Sequence, residues 1–161
     1  MSASPIALSP VAHVRAARTQ PVDDDWGDTV STLTLVPTFG PEALEGLAAF
    51  SHIEVLFIFD RVDPERVQTG ARHPRDNPHW PRVGIFAQRG KNRPNRIGST
   101  ICRLLEVDGT TLRVAELDAI DGTPVLDIKP VIRGFLPRSS VRQPAWASEL
   151  MEHYWRRVDG G

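Results

Sequence analysis

Apolar and polar residues alternate over short stretches of this chain, with turn residues between them. Residues 30–36 alternate through Leu33 and Leu35, the period-2 signature of a strand with one buried face. Residues 97–107 alternate Ile97, Ser99, Ile101, Arg103 and Leu105 and predict a half-buried strand. Residues 53–59 (IEVLFIF) form a stronger apolar run, as expected of a central strand. Residues 11–17, 112–117 and 125–128 predict three more strands, and residues 83–87 (VGIFA) a short buried one. Val107-Asp108-Gly109-Thr110 reads as a hairpin turn and Asp121-Gly122-Thr123-Pro124 as a second turn.

Helical patterning is sparse. Pro41 and Glu42 after Gly40 predict a short helix, since Pro suits the first helical position and Glu the first turn. Residues 144–158 predict an amphipathic helix with Trp146, Leu150, Met151, Tyr154 and Val158 near one face. That face is expected to pack on the rest of the fold or on a partner subunit. Several short strands with hairpin-like spacing and two modest helices indicate a mainly β, barrel-like domain. The strand–helix alternation of a doubly wound sheet is missing. Residues 1–10 are expected to form a loose leader, and 11–161 one barrel domain with a C-terminal helix. The stretch 61–82, rich in Pro, His and Arg, predicts a long loop, either functional or disordered.

Composition narrows the class. A chain of 161 residues, 40% hydrophobic and 24% charged, suits one soluble domain. Fourteen prolines favour strands and loops over long helices. The net charge of -1 hides an uneven distribution. Asp23, Asp24, Asp25 and Asp28 cluster early, whereas residues 128–148 hold no acid but carry Lys129, Arg133, Arg138 and Arg142. A near-neutral total can therefore conceal a basic face. The single cysteine, Cys102, rules out an internal disulfide and a cysteine zinc framework and fits a cytoplasmic location. There is no signal-peptide pattern, and no apolar run approaches membrane length.

Candidate chemistry concentrates in two stretches. Arg89, Lys91, Arg93 and Arg96 share one loop punctuated by Gly90, Pro94 and Gly98. No acid occurs between Asp76 and Glu106, so nothing near in sequence neutralises them. The loop is either a solvated charge run or an anion site. It is not a phosphate-binding P-loop. Five residues separate Gly84 from Gly90, and Asn92 stands where Ser or Thr would hold magnesium. Asp118, Asp121 and Asp127 form the second cluster; they either shape turns and pair with arginines or line a site. The five histidines lack metal-ligand spacing, His52 reads as structural, and Cys102 as a buried thiol.

Together these stretches resemble the TsaA-like (YaeB-like) family, whose characterised members are S-adenosylmethionine-dependent tRNA methyltransferases. The first motif runs Gly84-Ile85-Phe86-Ala87-Gln88-Arg89-Gly90-Lys91-Asn92-Arg93-Pro94-Asn95-Arg96-Ile97-Gly98. The second comprises Leu117-Asp118, then Asp121-Gly122-Thr123-Pro124-Val125-Leu126-Asp127-Ile128-Lys129-Pro130. The segment around Phe50-Ser51-His52 matches a third. The chain departs from the family pattern at Arg96 (usually proline), Gly90 (serine), Glu54 (a common tryptophan) and Val131 (tyrosine).

The resemblance implies a small barrel that dimerises and binds S-adenosylmethionine. It assigns the cofactor to Arg89, Gly98, Ser99, Ala115, Glu116, Leu117 and Asp118, with Asp60, Arg61, Pro21 and Val22 as further candidates. A guanidinium such as Arg89 suits a carboxylate through paired hydrogen bonds, and Leu117 is expected to give an apolar wall. The implied substrate is threonylcarbamoyl-adenosine beside the tRNA anticodon, methylated on its exocyclic nitrogen. Alignment of donor and acceptor alone can supply on the order of 7–11 kcal/mol. Arg93, Arg96, Lys129 and Arg133 are the candidate phosphate contacts. No metal is implied, and no catalytic residue is assigned, Asp118 and Asp127 being conceivable bases. Two other readings remain: a non-catalytic RNA-binding barrel, and a small-molecule methyltransferase, suggested by the short chain.

Overall fold

Alternation along the chain becomes the inside and outside of a closed barrel. The computed structural model describes residues 3–158; residues 1, 2 and 159–161, part of the expected leader and C-terminal segment, lie outside the described residues. The first strand, β1 (Ala12–Ala16), buries Ala12 and Val14 and exposes His13 and Arg15. β2 (Val30–Leu35) buries Ser31, Leu33 and Leu35. β3 (His52–Ile58) buries Ile53, Val55 and Phe57. Two short strands, β4 (Ala71–Arg72) and β5 (Val83–Gly84), pair with each other outside the barrel. β6 (Ile97–Asp108), β7 (Thr111–Ala115) and β8 (Pro124–Pro130) complete the set.

The barrel closes in the order β1-β2-β7-β6-β3-β8, with every pair antiparallel. Closure is made by β1 and β8, where Ala12 faces Val125 and His13 faces Pro124. Pro124 sits at the first residue of its strand, where its missing N–H costs least. The core holds Val14, Leu33, Ile53, Val55, Phe57, Cys102, Leu112, Val114, Leu117 and Val125. Closure leaves none of these six strands as a free edge.

Three expectations need correction. Residues 83–87 are not one buried strand: only Val83–Gly84 pairs, Ile85–Ala87 forms a 3-10 turn, and Phe86 is 80% exposed. The chain turns there because the Ile85 N–H bonds to the Gly70 carbonyl, off the barrel. The helix expected after Gly40 is a pair of 3-10 turns, Pro41–Leu44 and Leu47–Ala49, divided by Gly46 at φ 83. The C-terminal helix, α1, spans only Ala145–Leu150. Beyond it the chain continues as turns, and the Asp25, Trp26 and Gly27 N–H groups bond to the His153, Tyr154 and Arg156 carbonyls. The loop 61–82 is ordered, with β4 and two 3-10 turns within it.

Antiparallel closure fixes where the connections emerge. The segments 17–29, 59–96 and 116–123 all leave the barrel at one end. The segments joining β2 to β3 and β6 to β7 leave at the other.

Candidate cofactor site at one end of the barrel

The residues expected to hold the cofactor lie on those three connections or on the strand ends that feed them. Pro21 and Val22 are exposed on the first connection, and Asp60 and Arg61 are exposed where β3 ends. Arg89 is exposed on the second connection, and its Nη2 donates to the Ser99 carbonyl at 2.6 Å. That bond ties the basic loop to the start of β6. Gly98 faces Phe57 across the β3–β6 pair. A Cβ there would stand 2.5 Å from the Phe57 ring, so packing alone demands glycine.

Past β7 the backbone kinks. Glu116 adopts φ 69, its N–H bonds to the Thr29 carbonyl, and its carboxylate pairs with Arg103 at 3.5 Å. Ala115 and Leu117 are buried, Leu117 completely. Leu117 belongs to the core, so it presents no exposed apolar wall. Asp118 emerges between Leu117 and Ala119, half-buried. Its Oδ1 accepts a hydrogen bond from the Thr100 hydroxyl and its Oδ2 one from the Tyr154 hydroxyl. Burial, first, and the Asp118 charge, second, push the Tyr154 phenol well above its ordinary range, so it stays a donor.

The three acids close in sequence do not converge in space. The Asp121 carboxylate accepts from the Ala16 N–H at 3.0 Å and shapes the turn. Asp127 accepts from the Ile128 N–H and pairs with Lys129, both at 2.9 Å, on the strand running toward the opposite end.

The four expected phosphate contacts do not form one patch. Arg93 Nη1 donates to the Gln88 carbonyl at 2.6 Å, and Arg96 Nη1 to the Val62 carbonyl at 2.9 Å. These carbonyl dipoles hold the loop's cations apart without any acid. Asn95 and Arg96 lie at φ 62 and 51. A proline cannot adopt that φ, so a proline in place of Arg96 would require a different turn. Lys129 and Arg133 lie on and beyond β8, toward the far end. Lys129 is held protonated by Asp127 and then Glu54, and Glu54 in turn accepts from the Ser99 hydroxyl at 2.8 Å.

Sequence reading missed three contributors. Thr100 is read simply as part of a strand, Tyr154 as one residue of a helix face, and Arg75 as part of an undivided loop. Arg75 lies at φ 52 and reaches Asp24 at 3.0 Å and Asp23 at 3.9 Å. Trp80 donates to Glu149 at 2.7 Å. Arg18 bonds to the Asp24 and Asp25 carbonyls and stacks 3.9 Å from the Trp26 ring. The connection, the long loop and the C-terminal segment thus form one collar over this end of the barrel. Among the described residues, no group of three or more His, Cys, Asp or Glu is arranged to hold a metal ion, and no helix is long and apolar enough to cross a membrane.

Comparison with known proteins bears on the family and the fold. Residues 9–135 match the model of the tRNA-methyltransferase O N-terminal domain. The chain is 39% identical over 133 residues to the tRNA (adenine(37)-N6)-methyltransferase of Escherichia coli, covering 78% of this chain and 56% of that protein. It is 41% identical over 102 residues to the S-adenosylmethionine-dependent methyltransferase RcsF, described as putative, of Pseudomonas aeruginosa, covering 63% and 44%. The chain thus spans about half the length of these relatives. A crystal structure of TrmO from P. aeruginosa superposes with a TM-score of 0.73 at 28% identity, covering 90% of this chain and 63% of that one.

Proposed function

The chain belongs to the tRNA-methyltransferase O N-terminal domain family, and from that premise we propose that it is an S-adenosylmethionine-dependent methyltransferase. Its substrate in this reading is the threonylcarbamoyl-adenosine beside the tRNA anticodon, methylated on the exocyclic nitrogen. One observation carries the reading: the candidate cofactor residues, far apart in sequence, lie on connections that emerge at one end of the barrel or on the strand ends that feed them. The single barrel domain of 11–161, a cytoplasmic location and a homodimer belong to the same proposal. The outer face of β6, with Ile97, Ile101 and Leu105 exposed, supports the dimer.

The donor set fits the cofactor. When bound, S-adenosylmethionine supplies an activated methyl on a sulfonium. Arg89 uses one N–H on Ser99, and a guanidinium has four others for a carboxylate. Asp118 uses two of about four acceptor positions and keeps the rest for hydroxyl or amino donors. Val22, 52% exposed, offers the apolar surface that buried Leu117 does not. The protein's part in the reaction is to hold donor and acceptor in line.

A second reading, a small-molecule methyltransferase, is favoured by the engagement of Arg93, Arg96 and Lys129 with loop carbonyls and Asp127. Labelled S-adenosylmethionine separates the two. Transfer to tRNA carrying threonylcarbamoyl-adenosine, and not to unmodified tRNA, is the expected result. Cofactor binding without transfer to either RNA would favour the second reading, and no binding would leave an RNA-binding module. If Lys129 and Arg133 contact phosphate, each alanine substitution lowers the salt slope of tRNA binding by about 0.7–0.9.

A further inference from the structure

The family match ends at residue 135, yet the site does not. The chain leaves β8 at the far end of the barrel. It passes Ile132, Phe135 and Val141, all exposed, and reaches the end that carries Asp118. There it docks on the first connection by three backbone hydrogen bonds, from Asp25, Trp26 and Gly27 to His153, Tyr154 and Arg156. Gly27 makes the approach possible, since a Cβ on it would lie 2.0 Å from the Trp155 carbonyl oxygen. Arg156 pairs with Asp25 at 2.7 Å. Trp155 stands edge-on to Tyr154 with ring centroids 4.9 Å apart. Among the described residues, the Tyr154 hydroxyl donates to the Asp118 carboxylate.

We propose that Tyr154 is a positioning residue of the cofactor site, supplied from outside the matched domain, and that its hydroxyl fixes the Asp118 carboxylate for ligand binding. The inference rests on the reading of Asp118 as a cofactor contact. Thr100 holds one carboxylate oxygen from within the barrel and Tyr154 holds the other from the C-terminal segment. With both oxygens anchored, the carboxylate cannot rotate about its own bond, and its remaining lone pairs point in fixed directions. A preoriented acceptor binds a donor without first losing rotamer freedom. Losing the Tyr154 bond frees one oxygen and leaves the other tied to Thr100. The C-terminal segment is in this account part of the binding site, and the family domain alone would carry an incomplete one.

The test uses the full chain and titration calorimetry with S-adenosylmethionine. Tyr154→Phe keeps the ring and its packing on Trp155 and removes only the hydroxyl. Its affinity is expected to fall about tenfold, the cost of one hydrogen bond to a charged group. Arg156→Ala removes the Asp25 pair without touching Asp118 and is expected to bind within about twofold of wild type. The double variant Tyr154→Phe/Asp118→Asn should bind no more weakly than Asp118→Asn alone. Additive losses, or an equal loss in Arg156→Ala, would show that Tyr154 merely fastens the segment and would overturn the proposal. Unchanged affinity of Tyr154→Phe would overturn it as well. Absence of binding by the wild type would remove the cofactor reading and this inference with it.

A second readout needs no cofactor. Tyr154 is the chain's only tyrosine, so tyrosinate absorbance reports it alone. Asp118→Asn is expected to let it ionise at lower pH than in the wild type, because the neighbouring charge is gone while burial remains. An unchanged alkaline titration would break the link between the two side chains.

Discussion

Phe57 and Gly98 oppose each other across β3 and β6, and the Phe57 ring occupies the space that a Cβ on residue 98 would need. The same ring lies edge-on to Phe59, with centroids 5.3 Å apart. Gly98→Ala would force a methyl to within 2.5 Å of a ring that is only 2% exposed. Overpacking of this kind costs about 1–3 kcal/mol. Urea unfolding should show a lower midpoint with an unchanged slope. An unchanged midpoint would mean that the ring is free to move aside.

Gly27 has the tighter constraint, because its neighbour is backbone. Gly27→Ala should expel residues 153–156 from their place beside the first connection, since the Trp155 carbonyl stands 2.0 Å from the new atom. Hydrogen exchange reads this directly. The Asp25, Trp26 and Gly27 amides should lose protection, while Val55 and Val114 amides in the barrel keep theirs. Retained protection at Trp26 would contradict the docking.

The ion pair that fastens the C-terminal segment should weaken in acid. The Arg156 guanidinium hydrogen-bonded to Asp25 holds its carboxyl below the ordinary value of 3.8. A lowered folded-state value means that the contribution is fully present above the unfolded value. It is lost as pH falls through the folded one. The contribution of this ion pair should therefore be present above about pH 4 and weaken below it. A carboxyl NMR titration should place Asp25 below 3.8 in the wild type and return it toward that value in Arg156→Gln. Equal titration in both proteins would remove the ion pair from the account.

Cys102 should be inert. It is 1% exposed, and burial, then the charges of Asp118 and Glu116, push its thiol up to about 12. Alkylation at pH 8 should leave it unmodified in the folded protein and modify it fully in urea, as intact mass would show. Rapid native labelling would mean that the barrel opens around β6.

Much of this protein is determined by the sequence alone. Alternation at 30–36 and 97–107 and the run at 53–59 correspond to β2, β6 and β3, because a strand's two faces are written every second residue. The two long motifs mark the family directly. Tertiary structure decided what those local patterns cannot encode. Apolar spacing over 144–158 suits a helix, but the helix ends at Leu150 and the turns beyond it dock on 25–27 by three backbone bonds. Three aspartates within ten positions look like a cluster, but the turn and strand direct each to a different partner. Asp118 and Tyr154 stand 36 residues apart in sequence, and only the docking of the C-terminal segment makes them neighbours. Periodicity is a property of adjacent residues, whereas register, closure and the docking of the C-terminal segment depend on contacts between distant ones.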